Sequence, residues 1–428
     1  MKRLKFWKLL TMLAIVVTSC KDFLTVDPEN RTVTDGYYTS NQRVEQAVIG
    51  SYVDLRRALL ANQAWLMYGE GRTGELTVNT TYAKYVSDQK LKADNNQIEQ
   101  LSDWGYFYDA IRSANETLEI VEAAGSDVLN TYQRNTYKGE ALAVKSMSYF
   151  YLARIWGDIL SAEKNDKGQK LSNDAAVTKA AAFAKEAIAL LPWRFLNDDG
   201  IESNAITLVR LNKTAAYMLL AQQELWLGKG TEARATLMNL YSDEATDKLS
   251  DFSISMGEDR ITPISKTPLS SSLVSMKLPV LDSIYPTLDT RRGSLFSFTA
   301  SGATLIVRDQ SVLPLLKLAE IDLLLAEASW KAGNLEEAIE HLILSSKGAT
   351  EDYSTLTESD FKEALLLERQ RQLVGTGQRF FDLIRFGEVH KYVPSLSESD
   401  IASGAAYWPL SPESLSGNKL SQNSFWSR

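Results

Sequence analysis

Ala326-Glu327-Ala328-Ser329-Trp330-Lys331-Ala332-Gly333-Asn334-Leu335-Glu336-Glu337-Ala338-Ile339 is the stretch that decides the fold. Small and apolar residues at helical spacing run up to Gly333, a residue free to adopt the left-handed turn that closes a helix. Asn334 then stands as the cap of a second helix, with Glu337 three residues on in the place of a capping-box acid. Two helices joined by so short a turn fold back on each other, so the unit is a helix pair. The apolar stripe Leu316, Leu323, Ala326, Trp330 carries the first helix backward, and the pair occupies Leu313 to Leu344.

Working toward the amino terminus, the same construction recurs. Leu208 to Leu227 carries Leu211, Ala215, Met218 and Leu225, and Leu227-Gly228-Lys229-Gly230-Thr231 breaks it. Thr231 is placed to cap the next helix, which continues through Ala233, Leu237 and Leu240. Ala176 to Leu191 is another helical run, and Gly139 to Gly157 is apolar nearly all round, so it is expected to lie between neighbours. Two earlier stripes step by three or four: Val44, Val48, Tyr52, Leu55, Leu59 after a Ser40 cap, and Leu101, Trp104, Tyr108, Ile111, Leu118. Asn115 interrupts the second, and a buried amide there must bond a neighbouring backbone. The 327–339 stretch is similar to a tetratricopeptide repeat, but the period is poorly kept elsewhere, so paired helices are better supported than a regular solenoid.

Between residues 243 and 312 the pattern changes to Ser, Thr and mixed runs holding Pro263, Pro268, Pro279 and Pro286, which reads as loops and short strands in an insertion. Gly69 to Asn96 is similarly irregular, and Trp408-Pro409-Leu410-Ser411-Pro412 is barred from a helix and should lie extended against the body. The expected fold is all-α: tetratricopeptide-like helix pairs with an irregular, loop-rich part.

Composition closes several functional classes. The 428 residues carry a net charge of −8, one cysteine and two histidines. A nucleic-acid binder would show a clustered basic face, and one cysteine allows neither an internal disulfide nor a multi-thiolate metal site. A His-based triad would have to use His341 or His390, and both read as surface residues. No metal site and no cofactor are assigned. Gly69-Glu70-Gly71-Arg72-Thr73-Gly74 fits G-x-G-x-x-G, but Thr77-Val78-Asn79-Thr80-Thr81 reads as no helix start, so the dinucleotide mechanism is not supported. Arg379, Asp382 and Arg385 sit three apart, which reads as a carboxylate between two guanidinium groups in an ion network pinning two helices. No catalytic residue is assigned.

Residues 1–19 hold Lys2, Arg3, Lys5 and Lys8 followed by the apolar run Leu9 to Val17, the order of an export signal too short to span a bilayer. Val17-Thr18-Ser19-Cys20 resembles the lipobox of bacterial lipoproteins, whose cleavage leaves an acylated cysteine as residue one. Several acyl chains on Cys20 would anchor the protein at a membrane, since each buried methylene contributes about 0.8 kcal/mol.

Aromatic side chains in irregular segments either plug a local cluster or offer a face to a ligand. Sugars present C–H faces to such rings, while carboxylates, amides and arginine bond their hydroxyls. Trp65, Tyr68, Tyr82 and Tyr85, with Glu70, Arg72 and Asn79 among them, make the leading candidate site. Phe296 and Phe298, after Asp289-Thr290-Arg291-Arg292, make a second.

The order of features resembles the SusD/RagB family of outer-membrane nutrient-binding lipoproteins. The resemblance rests on Cys20-Lys21-Asp22-Phe23-Leu24; Trp104 to Tyr108 with Ile111 and Asn115; and Gly139-Glu140-Ala141 leading to Tyr149-Phe150-Tyr151-Leu152 and Gly157-Asp158. It continues through Ala319-Glu320, Ala326-Glu327-Ala328, Leu367-Glu368-Arg369, Gly377-Gln378-Arg379-Phe380-Phe381-Asp382-Leu383-Ile384-Arg385, and the closing Trp408 to Pro412 with Gln422-Asn423. Departures lie at His341 to Ser345 and at Val374-Gly375-Thr376, which are structural positions. The resemblance implies four tetratricopeptide-like helix pairs, a less regular part bearing the ligand site, a lipid anchor at the outer membrane with exposure at the cell surface, and a SusC-like TonB-dependent transporter as partner. It implies a binder without catalysis, taking an oligosaccharide or in some members a peptide, and it transfers no ligand residue by motif.

The expected organisation is a signal peptide at 1–19, a lipid tether and extended segment at 20–40, a helical region at 41–242, the irregular insertion at 243–312, and a helical region with extended tail at 313–428. The expected function is capture of a surface glycan. A peptide-binding helical scaffold is the alternative, and a glycoside hydrolase stands third because no carboxylate pair is singled out.

Overall fold

The computed structural model describes residues 38–92, 94–242, 244–245, 260–265, 274–299, 302–305, 312–346, 351–416 and 420–427. The expected signal at 1–19, Cys20 and nearly all of the 20–40 tether lie outside the described residues.

Helix α1 (Asn41–Leu60) buries Val44, Val48, Leu55 and Leu59, the stripe its spacing calls for. Three short helices, α2 (Ala64–Gly69), α3 (Thr81–Ser87) and α4 (Asn96–Ser102), intervene before α5 (Gly105–Ala123) packs along α1. The next pair is α6 (Thr131–Trp156) with α7 (Asn173–Leu190). A capping box of Asn130 and Gln133 starts α6, a device that contributes about 1 kcal/mol. Nearly every residue of α6 from Thr136 onward is buried, because α1, α5, α7 and α9 all pack against it. Helix α8 (Asn204–Val209) leads into a third pair, α9 (Lys213–Trp226) and α10 (Gly230–Met238).

Two helices, α11 (Leu278–Ile284) and α12 (Thr290–Leu295), lie in the 243–312 stretch. The fourth pair is α13 (Ala319–Lys331) with α14 (Leu335–Ser345); α15 (Glu358–Leu373) packs on α13, and α16 (Arg379–Phe386), α17 (Val389–Tyr392) and α18 (Glu398–Ala402) follow, each against the one before. Each pair stacks on the next through α5–α6, α7–α9 and α10–α13. The helix pairs are therefore more regularly stacked than the uneven sequence period indicated. Turn lengths and insertions differ between pairs while the packed faces keep their spacing.

Close approach of α10 to α13 needs Gly230, where a Cβ would stand 2.4 Å from the Lys331 Cβ. Helix α10 begins at that glycine, with Lys229 in the cap position, so Thr231 lies inside the helix and is not its cap. In the deciding stretch, the Asn334 side chain accepts from the Glu337 amide at 3.4 Å. Glu337 itself is drawn across to the α10 side chain Arg234, at 2.6 and 2.7 Å, tying the third pair to the fourth. Asn115 is half-buried and donates to the Ala162 carbonyl at 3.4 Å, the backbone bond expected of it.

Two breaks in the helical stack supply the rest. Residues 61–104 separate the two helices of the first pair, and the stretch before α13 separates the third pair from the fourth. A four-stranded sheet joins them, in the order β1 (Thr77–Val78), β5 (Val274–Met276), β7 (Gly302–Leu305), β6 (Phe296–Thr299), all antiparallel. The short ribbon β2 (Ile159–Leu160) with β3 (Lys170–Leu171) and the pair β4 (Arg260–Ser265) with β8 (Val312–Lys317) complete the described strands. The tail runs extended only from Trp408 to Ser411, with the Trp408 amide donating to Ile155 at 2.7 Å and the Ser411 amide to Ser102 at 3.2 Å, and Pro412, expected outside a helix, instead opens a short one to Leu415, because proline is tolerated at the first helical position.

Candidate functional site

Alternation fixes what each side of the joining sheet presents. Val78, Val274, Met276, Ala303 and Phe296 point into the main core. Thr77, Ser275 and Ser297 stand in register on the opposite side, and Thr77 and Ser297 are exposed. The sheet thus unites the two stretches that sequence reading singled out separately, 65–85 at one edge and 289–298 at the other.

Most residues of the leading candidate cluster prove to be braces. The Trp65 indole N–H donates to the Gly375 carbonyl at 3.3 Å, and the Tyr68 hydroxyl to the Leu101 carbonyl at 2.7 Å. The Tyr68 ring also meets the edges of Trp156 and Trp408 at 5.7 and 5.1 Å. Arg72 is fully buried, donating to the Ala405 and Ala406 carbonyls at 2.6 Å each and to Gln89, with its guanidinium 4.3 Å from the Phe380 centroid. Burial with no carboxylate partner pushes its pKa down to about 9. The Tyr82 hydroxyl is taken by Gln63 and the Asn62 carbonyl, and Phe296 packs edge-on to Tyr285 at 5.6 Å. Trp65, Tyr68, Glu70, Arg72, Tyr82 and Phe296 are all buried. They present no face to a ligand, and the assignment of these six as sugar contacts is corrected accordingly. Tyr85 is half-buried against the core, and Asn79 alone of the seven residues in the leading cluster is exposed.

Three smaller readings are also revised. Thr80 does cap a helix, accepting from the Ala83 amide at 3.3 Å to open α3. His341 is buried, with Nδ1 2.9 Å from an Asp322 oxygen, whereas His390 is at the surface as expected. Asp382 does sit between two guanidinium groups, but they are Arg385 at 3.0 Å and Arg369 at 2.9 Å. Arg379 reaches away to Glu75 at 3.1 Å, since a partner from outside the helix meets it more squarely.

Glu70 carries a testable consequence. Its carboxylate accepts the Gly375 and Gly377 amides at 3.0 and 2.9 Å, yet burial outweighs them and pushes its pKa up to about 7. The folded protein therefore holds this proton more tightly than the unfolded chain. The resulting stability is full below the ordinary carboxylate pKa and is lost as pH rises through about 7. Urea unfolding at pH 5 and pH 8 is expected to show a decline of about 2–3 kcal/mol in the parent that Glu70→Gln removes. An unchanged decline in Glu70→Gln would show that the group titrates normally. The cavity beside it, lined by Glu70, Glu75, Arg369 and Arg379 among others, is about 10 Å³ and has room for one water at most.

The exposed ring is Phe298, 48% accessible at the rim of the sheet. It and Tyr241 are the aromatic side chains most open to solvent among the described residues, and Tyr241 is committed to Asp322 through its hydroxyl at 2.6 Å. The guanidinium of Arg292 lies 5.3 Å from the Phe298 centroid. That guanidinium is fixed by Asp282 at 2.6 Å and by the Tyr285 carbonyl at 3.1 Å. Below it, Asp289 caps α12, accepting from the Arg291 amide at 2.9 Å, and also holds the Arg291 side chain at 2.7 Å, while Glu368 clamps that side chain from α15. Leu288 projects nearby in sequence and is 80% exposed. The arrangement offers a ring face, an oriented donor fork and a carboxylate with spare lone pairs. That set suits a polyhydroxylated ring compound with C–H faces. Asp282 and Asp289 are both held by arginine, which favours holding a ligand over transferring a proton.

Sequence reasoning named Phe298 and Arg292 but ranked them second, and missed Asp282, Leu288 and the hydroxyl row. Asp282 carried a usable signal, lying one helical segment before the Arg291-Arg292 pair. The hydroxyl row carried none, because strands of two to four residues do not announce their partners. Among the described residues, no cluster of three or more His, Cys, Asp or Glu is arranged to hold a metal ion, and no helix is long and apolar enough to cross a membrane.

Comparison with known proteins adds the following. A family model described as starch-binding associating with outer membrane matches residues 22–225, and a SusD family model matches residues 299–426. SusD-like protein P38 of Formosa agariphila is 22% identical over 95% of this chain and 96% of its own length. A SusD-like protein of Bacteroides ovatus is 29% identical over 36% of the chain, and the match spans 28% of that relative's length. A crystal structure of a SusD superfamily protein from Bacteroides thetaiotaomicron superposes with a TM-score of 0.77 at 22% identity, covering 91% of this chain and 99% of that one. Surface glycan-binding protein A from Bacteroides uniformis gives 0.69 at 17% identity, covering 90% and 100%. A laminarin-binding SusD-like protein gives 0.68 at 17%, covering 90% and 99%.

Proposed function

Because the chain belongs to the SusD/RagB family, we propose that it is a carbohydrate-binding protein of the outer membrane that captures an oligosaccharide on the Phe298 rim and hands it to a SusC-like TonB-dependent transporter. The observation that carries this reading is the Phe298 ring, left open beside an arginine whose direction is fixed by Asp282 and the Tyr285 carbonyl. Rings stacked on a sugar and charged groups bonding its hydroxyls are the usual means of recognition, and neither involves catalysis. Likeness to a surface glycan-binding protein and to a laminarin-binding protein supports the same ligand class.

In this reading residues 41–242 and 313–428 form the helical scaffold. The insertion at 243–312, joined by the 61–104 break, carries the ligand. Acyl chains on Cys20 hold the body at the membrane without a spanning segment, with the binding face at the cell surface. The protein is a binder and not an enzyme.

Calorimetric titration against a panel of soluble α-glucan, β-glucan and mannan oligosaccharides tests the proposal. Saturable binding to one class, with no change in the sugar's chain length afterward, is the expected result. Absence of saturable binding across the panel, or shortening of the bound sugar, would overturn it.

A further inference from the structure

A cleft of about 290 Å³ opens far along the chain from Phe298, among α16, α17 and α18. We propose that it binds an aliphatic chain ending in an ammonium group; the inference does not rest on the carbohydrate reading. Its size is near the lower end of small-molecule sites. Ile384, Val389 and Ile401 line it, while Ala402 and Ala406 leave the space unfilled. Gly387, at φ 72°, adds no side chain, and nothing lies within 4 Å of where its Cβ would be. Across the cleft His390 Nε2 stands 3.5 Å from a Glu398 oxygen, and the Glu398 side chain is 81% exposed.

The lining selects by exclusion. It holds no aromatic ring other than the imidazole, so it lacks the flat apolar face that a pyranose stacks on. It holds no lysine or arginine, and its one basic side chain, His390, already faces Glu398, so an added anion is disfavoured there. The nearby cations are engaged elsewhere: Lys391 with Glu363 at 3.2 Å, and Arg385 with Glu327 and Asp382 at 2.7 and 3.0 Å. What remains is a branched-aliphatic wall and one carboxylate at the mouth. A hydrocarbon stem gains by leaving water against the wall, and its ammonium meets Glu398 in a charge-assisted hydrogen bond. A free amine and a lysine side chain of a peptide share this chemistry.

The chain has only two histidines, so imidazole NMR signals report the cleft directly, with His390→Asn giving the assignment and buried His341 serving as an internal control. Titration with n-pentylamine is expected to move the His390 signal saturably and leave His341 still. Glu398→Gln should weaken the binding about three- to fivefold, the worth of one solvent-exposed charge pair. Ala402→Trp, at an exposed position, should fill the cleft and abolish the shift, with the unmoved His341 signal reporting that the variant is folded. Pentanoate should not bind. An acetylated Gly-Lys-Gly amide separates the two sources: binding about tenfold tighter than pentylamine assigns the site to a lysine side chain, and equal or weaker binding assigns it to a free amine. No saturable shift with either amine, an undiminished shift in folded Ala402→Trp, or equal binding of pentanoate would overturn the proposal.

Discussion

Replacing Gly69 by alanine is expected to prevent stable folding. A Cβ there would stand 1.7 Å from the Gly377 carbonyl oxygen and 2.2 Å from its carbon, so backbone meets backbone. The contact has no room to relax. Gly377 is itself at φ +80° with its own Cβ position 2.4 Å from the Trp65 carbonyl, and Glu70 and Arg72 clamp the segment on the other side. Ordinary overpacking costs about 1–3 kcal/mol with side chains that can shift; here the cost should exceed about 4 kcal/mol, a large part of a typical domain's stability. Circular dichroism and urea titration of Gly69→Ala measure it. A melting transition close to that of the parent would show that the α2 segment is not held against the 375–377 turn.

The second large effect is expected from Arg369→Met. Arg369 is 1% exposed and bonds Asp382 at 2.9 Å and Glu320 at 3.1 Å. Burial pulls its pKa down, but Asp382, Glu320 and Glu327 more than offset this and hold the guanidinium charged. Methionine matches much of the volume, so the loss is electrostatic: two buried carboxylates lose a shared cation, a change that costs about 3–5 kcal/mol. Lys84→Ala provides the contrast, because its pair with Asp88 is at the surface with the lysine 78% exposed, and such pairs contribute about 0–1 kcal/mol. Equal unfolding midpoints for the two variants would refute the claim that the charge network pins α13, α15 and α16 together.

The helical body was legible because its signals are local. The Gly333-Asn334 turn, the apolar run through Phe150 and Trp156 and the Trp408-Pro409 stop each act within a few residues, and each is found where the sequence placed it. Charge partners were less legible. Asp382 was read with Arg379 by spacing, yet Arg379 lies with Glu75, more than three hundred positions away in the chain. The site was least legible for a related reason. Trp65, Tyr68 and Phe298 look alike in irregular sequence, and what separates them is whether a distant segment arrives to cover the ring. The 375–377 turn and Trp408 cover the first two, while Phe298 is left with one arginine beside it. Composition cannot tell a plug from a platform.

That distinction is the centre of the account, and one measurement bears on it most directly: the affinity of Phe298→Ala for whichever oligosaccharide binds the parent best. Loss of the open ring should weaken binding about tenfold, the value of one stacking contact, while the thermal midpoint stays unchanged because the ring supports little of the core. Undiminished affinity in a folded Phe298→Ala protein would contradict the placement of the sugar on this rim.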